Sequence, residues 1–236
     1  MKKVNACRKI AFALGFTLGL LAPVGETLAD PGSHGVVPPN GTAYGYKYSE
    51  LGAQWWQFVV SIPGSTNPIA DPDGSQCVLG QRGPVWFLAF SQVGDVRTCS
   101  IPEDTALFFP LFNVVSVATA VETVKQLRAD IAPCVDAVTS MSVVVDGVLV
   151  PKLGAKYRIR SDVFAVALPD GNIFGIDGGI YSPAVDDGYY VMLKPLSVGA
   201  HTLRFGGESA GCAIFGGGPL SLDVTYNLTV VKTRDK

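Results

Sequence analysis

Asp71, Asp73 and Ser75 place side-chain oxygens at alternate positions around Gly74, which is how a calcium-binding loop begins. Such a loop ends in a bidentate acid, and the position that would supply it, residue 82, is Arg. The segment therefore reads as a turn, as does Asp186-Asp187-Gly188, and no metal ligands are assigned. Acids also suggest paired-carboxylate chemistry, because a glycosidase needs two carboxyl groups about 5–10 Å apart across a sugar. Asp71, Asp73, Glu103, Asp104, Asp186, Asp187 and Glu208 sit at loop-like positions and are the candidates. With that many acids some pair meets the separation by chance. Of the two histidines, His34 and His201, only His201 falls in a strand-like segment, and it reads as a structural residue beside the turn at 195–200. No phosphate-cradling loop, dinucleotide fingerprint or zinc-protease motif is present, so neither a cofactor nor a catalytic set is assigned.

Gly207-Glu208-Ser209-Ala210-Gly211 matches G-x-S-x-G and resembles the nucleophile elbow of the carboxylesterases in the α/β-hydrolase family. The resemblance covers five residues and would imply a nucleophilic Ser209 followed along the chain by an acid and a histidine. Both histidines precede Ser209, and Gly216, Gly217, Gly218 and Pro219 stand where the elbow's helix would run. A Gly-rich turn after a strand accounts for the same letters. A triad defined by geometry alone would have to draw on His201.

Aromatic pairs offer another kind of site. Trp55-Trp56 and Tyr189-Tyr190 could stack on sugar rings if their faces are exposed, and they are the candidate ligand-binding residues. Two core aromatics tacking a helix to a sheet is the competing reading of the tryptophans.

These residues must be held by something, and the patterning favours strands. Residues 46–62 carry Leu51, Trp55, Phe58 and Val59 at helical spacing, with Ser49 as a cap and Pro63 as the stop. Residues 121–131 repeat that spacing through Val121, Val124, Leu127 and Ile131, ending near Pro133. Between and after them lie apolar or alternating runs at 85–90, 106–117, 142–150, 157–168, 189–194, 201–205 and 220–231. Pro110 predicts a bulge or an edge in the second of these, and Asp146-Gly147 predicts a tight hairpin. With no βαβ alternation, the expected fold is mainly β: an antiparallel sandwich, immunoglobulin-like or jelly-roll-like, with one or two short helices.

The first residues bear on compartment. Lys2, Lys3, Arg8 and Lys9 precede a 13-residue apolar run at 10–22, and Thr27-Leu28-Ala29 ends in small residues suited to a peptidase. The run is shorter than a membrane span. Residues 1–29 are thus expected to be a signal peptide cleaved after Ala29, followed by a flexible lead-in at 30–45 and a single domain at 46–236. The product would be secreted or periplasmic, with no membrane span. Cys77, Cys99, Cys134 and Cys212 then read as disulfides. A strand and a turn between Cys77 and Cys99 could bring those two together, which leaves Cys134 for Cys212. Beyond residue 29 the chain has 14 basic and 19 acidic residues, a charge of −5, and no basic cluster for nucleic acid or anionic membrane. The expected function is an exported binding or surface-interaction protein, with polysaccharide or a cell-surface protein as partner. A secreted carboxylate-dependent hydrolase and a structural component of the cell envelope are the alternatives.

Overall fold

The computed structural model describes residues 35–90 and 94–233; residues 1–29, His34 and the start of the lead-in lie outside them. The described residues open with three short strands, β1 (Val36–Val37), β2 (Thr42–Ala43) and β3 (Tyr46–Lys47), which run into helix α1 (Tyr48–Val60). The region expected as a flexible lead-in is therefore partly paired: β1 lies along a central strand at Leu193 and Met192, and β2 pairs with β3. Lys47, not Ser49, precedes α1, and its backbone N–H donates to the Glu50 carboxylate at 2.7 Å.

Strands β4 (Val85–Phe87), β5 (Asp95–Pro102) and β6 (Ala106–Val117) follow, then helix α2 (Val124–Asp136). Thr123 and Gln126 form a reciprocal cap at the start of α2. Val121, expected on the apolar side, precedes the helix and is fully exposed. The helix continues through Pro133 because Cys134 and Val135 of its last turn are wholly buried, Cys134 in a disulfide with Cys212. Packing outweighs the one backbone bond that the proline removes.

The remaining strands are β7 (Val138–Val145), β8 (Val148–Leu149), β9 (Arg158–Arg160), β10 (Phe164–Leu168), β11 (Gly179–Leu193), β12 (Gly199–Ser209) and β13 (Leu220–Val231). Asp146 and Gly147 both have positive φ in the turn joining β7 to β8, as the hairpin reading requires. One sheet is ordered β1-β11-β6-β4, with β9 and β10 also on β11; the other is β5-β13-β12-β7-β8. The bulge expected at Pro110 lies in β6, where Tyr189 faces Phe112 and Tyr190 faces Pro110.

The fold is mainly β with two helices and two disulfides, Cys77 to Cys99 and Cys134 to Cys212. It is not purely antiparallel: β4 runs parallel to β6, and β5 parallel to β13. The cause is a crossover, since the chain leaves the first sheet after β4, forms β5 in the second and returns as β6. The Asp71–Gln76 turn closes on itself, the Asp71 carboxylate accepting from the Gly74 and Gln76 backbone N–H groups. It lies against β5, where Thr98 N–H donates to the Asp73 carbonyl at 2.8 Å. Gly74 has φ +88, and a Cβ there would sit 2.5 Å from the Thr98 oxygen, so only glycine fits.

Candidate functional site

At one end of the two sheets lies a cleft of about 590 Å³, within the usual range for small-molecule sites. β6 supplies its floor through Phe112, Asn113, Val114 and Val115, and the first residues of β13 supply a facing wall through Leu220 and Leu222. Trp56 of α1 closes the inner side, while Phe174 and Phe215, both partly exposed, stand at the rim. Among the described residues no charged side chain lines the cleft; besides the Trp56 indole, Asn113 and Ser221 provide its described polar side-chain atoms.

Behind this lining a chain of buried polar groups connects Asn113 and Trp56. The Asn113 amide donates to the Tyr190 hydroxyl at 2.8 Å, and that hydroxyl donates to Asp186 Oδ1 at 2.8 Å. The Trp56 indole N–H donates to the same oxygen at 2.8 Å. Asp186 is completely buried, and burial pushes its carboxyl up to about 8, further raised by neighbouring Asp187 and opposed by the Tyr190 and Trp56 bonds and by Arg128. At neutral pH the group is therefore mostly the neutral acid. Its Oδ2 has no partner among the described residues and sits 2.9 Å from where a side chain on Gly52 would begin, so α1 reaches the carboxyl only because residue 52 is glycine. Asn113 is close-packed too: a Cβ on Gly188, its cross-strand partner, would lie 2.4 Å from the Asn113 Cβ.

Asp186-Asp187-Gly188 is thus not a turn, as the sequence reading had it, but the middle of β11, the longest strand. Asp186 and Asp187 point to opposite sides. Asp187 accepts from both Arg158 and Arg160, and its bonds to the Arg158 guanidinium hold that group above its usual range.

The other candidates separate widely. Trp55 is fully buried, donating to the Leu88 carbonyl, and Tyr190 is fully buried as well, so neither offers a face for stacking. Trp56 keeps 6% of its surface, turned to the cleft, and Tyr189 is half-buried. None of the acids proposed as a carboxylate pair lines the cleft; Glu208 bonds the Ser140 hydroxyl, and Glu103 accepts from the Thr233 N–H. Ser209 is 2% exposed, with its hydroxyl on the Cys134 carbonyl, and no histidine is among its partners. Its flanking Gly211 serves packing: a Cβ there would overlap the Gly218 oxygen at 1.8 Å.

His201 does meet a serine and an acid. Its Nδ1 is 2.7 Å from Asp146 Oδ2, and its Nε2 is 3.2 Å from the Ser197 hydroxyl. However, Nε2 lies nearer, at 2.8 Å, to the Ser197 carbonyl. An imidazole with an oxygen acceptor at each nitrogen is satisfied as the cation, which has no lone pair to take a proton from Ser197. Partial burial lowers its affinity for that proton, but the bonds to Asp146 and Ser197 outweigh burial and the net shift is upward. The trio clips the β7–β8 turn to the start of β12.

Asn113 is the site residue that sequence reasoning missed. It stands within an apolar run, and a lone amide there is the signal that could have marked it. Compared with family models, with curated proteins and with solved structures, the chain matches none.

Proposed function

We propose that this protein is an exported, soluble binding protein, a single mainly-β domain that holds a small, largely apolar ligand in the cleft between its two sheets. The two sheets act in this reading as the layers of a β-sandwich. The observation that carries it is the cleft itself: about 590 Å³ walled by aromatic and aliphatic side chains, with no charged side chain among the described residues that line it. The two disulfides and the signal-like residues 1–29 support export. Polysaccharide is a weaker candidate than an apolar ligand because Trp55 and Tyr190 are enclosed, and a hydrolase would need acids in the cleft, where none of the described residues supplies one.

The test is titration of the oxidised protein with N-phenylnaphthylamine, an uncharged dye that brightens in apolar surroundings. Saturable binding that weakens at least about tenfold in Val115→Trp, which fills the cleft, supports the reading. Binding that Val115→Trp leaves unchanged, in a variant with the wild-type circular dichroism spectrum, rejects it.

A further inference from the structure

The rim of the cleft is held in two different ways. Phe174 stands on a loop organised around Asn172, which is buried. The Asn172 amide donates to the Pro169 and Ile176 carbonyls at 2.9 and 2.7 Å, and its Oδ1 accepts from the Phe174 N–H at 3.1 Å. The Gly171 carbonyl accepts from the Gly64 N–H at 2.8 Å, which joins this loop to the segment after α1. Ile69, also in the lining, is held by buried Arg97, whose guanidinium donates to its carbonyl, and by Asn67 Oδ1, which accepts from its N–H.

Phe215 and Pro219 come from the connection between β12 and β13. This connection contains Gly211, Gly216, Gly217 and Gly218, and glycine has the freest backbone of any residue. The N–H groups of Phe215, Gly216 and Gly217 donate to the Cys212 and Ala213 carbonyls, so these bonds shape the connection without joining it to the rest of the molecule. Among the described residues 211–219, Cys212 alone is buried, and Phe215 keeps 49% of its surface exposed. Burial therefore does not fix the Phe215 ring. The Cys212 sulfur does join the connection to the core, through its bond to the wholly buried Cys134 of α2. The Ala210 N–H, donating to the Ala137 carbonyl at 2.9 Å, adds a hydrogen bond just before it. Gly211 and Gly218 lie against each other, which places Cys212 at the neck of the connection.

A ligand that touches Phe215 needs this connection held still. With the tether in place the ordering cost is met on folding; without it, the cost is subtracted from the affinity.

We propose that the Cys134–Cys212 bond positions the Phe215 side of the cleft, so that ligand affinity depends on this disulfide and not on Cys77–Cys99. This rests on the reading of the cleft as a binding site and names the residues that preorganise it. Cys77–Cys99 is the comparison to make, because Ile69, the lining residue nearest Cys77 in sequence, is held by Arg97 and Asn67.

The test is titration with N-phenylnaphthylamine of Cys134→Ala/Cys212→Ala and of Cys77→Ala/Cys99→Ala, at a temperature where both keep the wild-type circular dichroism spectrum. The first should bind the dye about tenfold more weakly than the wild type, and the second within about twofold of it. Phe215→Ala separates positioning from general loosening. Alone it should weaken binding about fivefold. Added to Cys134→Ala/Cys212→Ala it should weaken binding little further, because the ring is already out of place. Wild-type affinity in Cys134→Ala/Cys212→Ala overturns the proposal, as do equal losses in the two cysteine variants, or losses that multiply when Phe215→Ala is added. Should Cys134→Ala/Cys212→Ala fail to fold, two glycines inserted between Ala213 and Ile214 keep the disulfide and release Phe215 from it. That variant should lose about as much affinity as Phe215→Ala, and wild-type affinity in it overturns the proposal. A dye that does not bind the wild-type protein sinks the reading of the cleft itself, whereas a dye that binds regardless of Cys134–Cys212 sinks this inference alone.

Discussion

Asp186 accepts two hydrogen bonds on one carboxyl oxygen while its other oxygen faces Gly52 without a partner, which suits a group that keeps its proton. The sign of the resulting pH effect follows from linkage. In the unfolded chain the carboxyl loses its proton near the ordinary value of 3.8, and in the folded protein near 8. Between those values the folded state binds the extra proton, so this group's contribution to stability is fully present below about pH 4 and declines as pH rises through 8. Asp186→Asn keeps both accepted bonds and cannot ionise. Its melting temperature should match the wild type near pH 4 and exceed it by about 5–10 °C at pH 9, measured by calorimetry; equal melting temperatures at pH 9 would show that Asp186 is ionised at no cost. His201 behaves similarly for a different reason. Its pKa is raised in the folded state, so its clip is in force below the unfolded value of 6.5 and is lost as pH rises through the higher folded value. The stability gap between wild type and His201→Gln should therefore narrow from pH 6 to pH 9 in urea titrations.

β11 carries Asp186, Gly188 and Tyr190 along one strand, and Gly188 lets Asn113 lie directly against it. Gly188→Ala would drive a methyl into the Asn113 Cβ and the Phe112 carbonyl, at 2.4 and 2.8 Å. We expect a loss of about 2–4 kcal/mol in chemical denaturation, with weaker dye binding as Asn113 shifts. This strand was also the least legible element in the sequence. Only 189–194 reads as a strand there, because Gly179, Pro183 and the Asp-Asp-Gly triplet look like turn residues. Those residues are tolerated by tertiary context: burial keeps Asp186 neutral, and the glycine answers a close approach from β6. By contrast β6 and β13 coincide with the runs seen at 106–117 and 220–231, since an apolar run rich in aromatic and β-branched residues and a clean alternation both favour a strand. The cleft could not be read at all, because it joins α1, β6 and β13 across separations that no local pattern encodes. Lone Asn113 in an apolar run was its one local trace.

Each disulfide serves the molecule differently. Cys134–Cys212 ties the last turn of α2 to the segment after β12, closing a loop with a sequence separation of 78. Replacing both cysteines by serine should cost about 2–5 kcal/mol in guanidinium unfolding; a change below about 1 kcal/mol would mean the surrounding packing already fixes the two segments. Cys77–Cys99 pins the Asp71–Gln76 turn on the outer side of β5 and covers part of a sheet edge that would otherwise pair with another chain. Among the described residues, the inner side of β5 is met by β13, the last described strand, with Asp95 beside Val224. β13 also brings Leu220 and Leu222 to the cleft. A nascent chain that still lacks residues 220–231 can therefore complete neither the second sheet nor the cleft, however much of it has emerged.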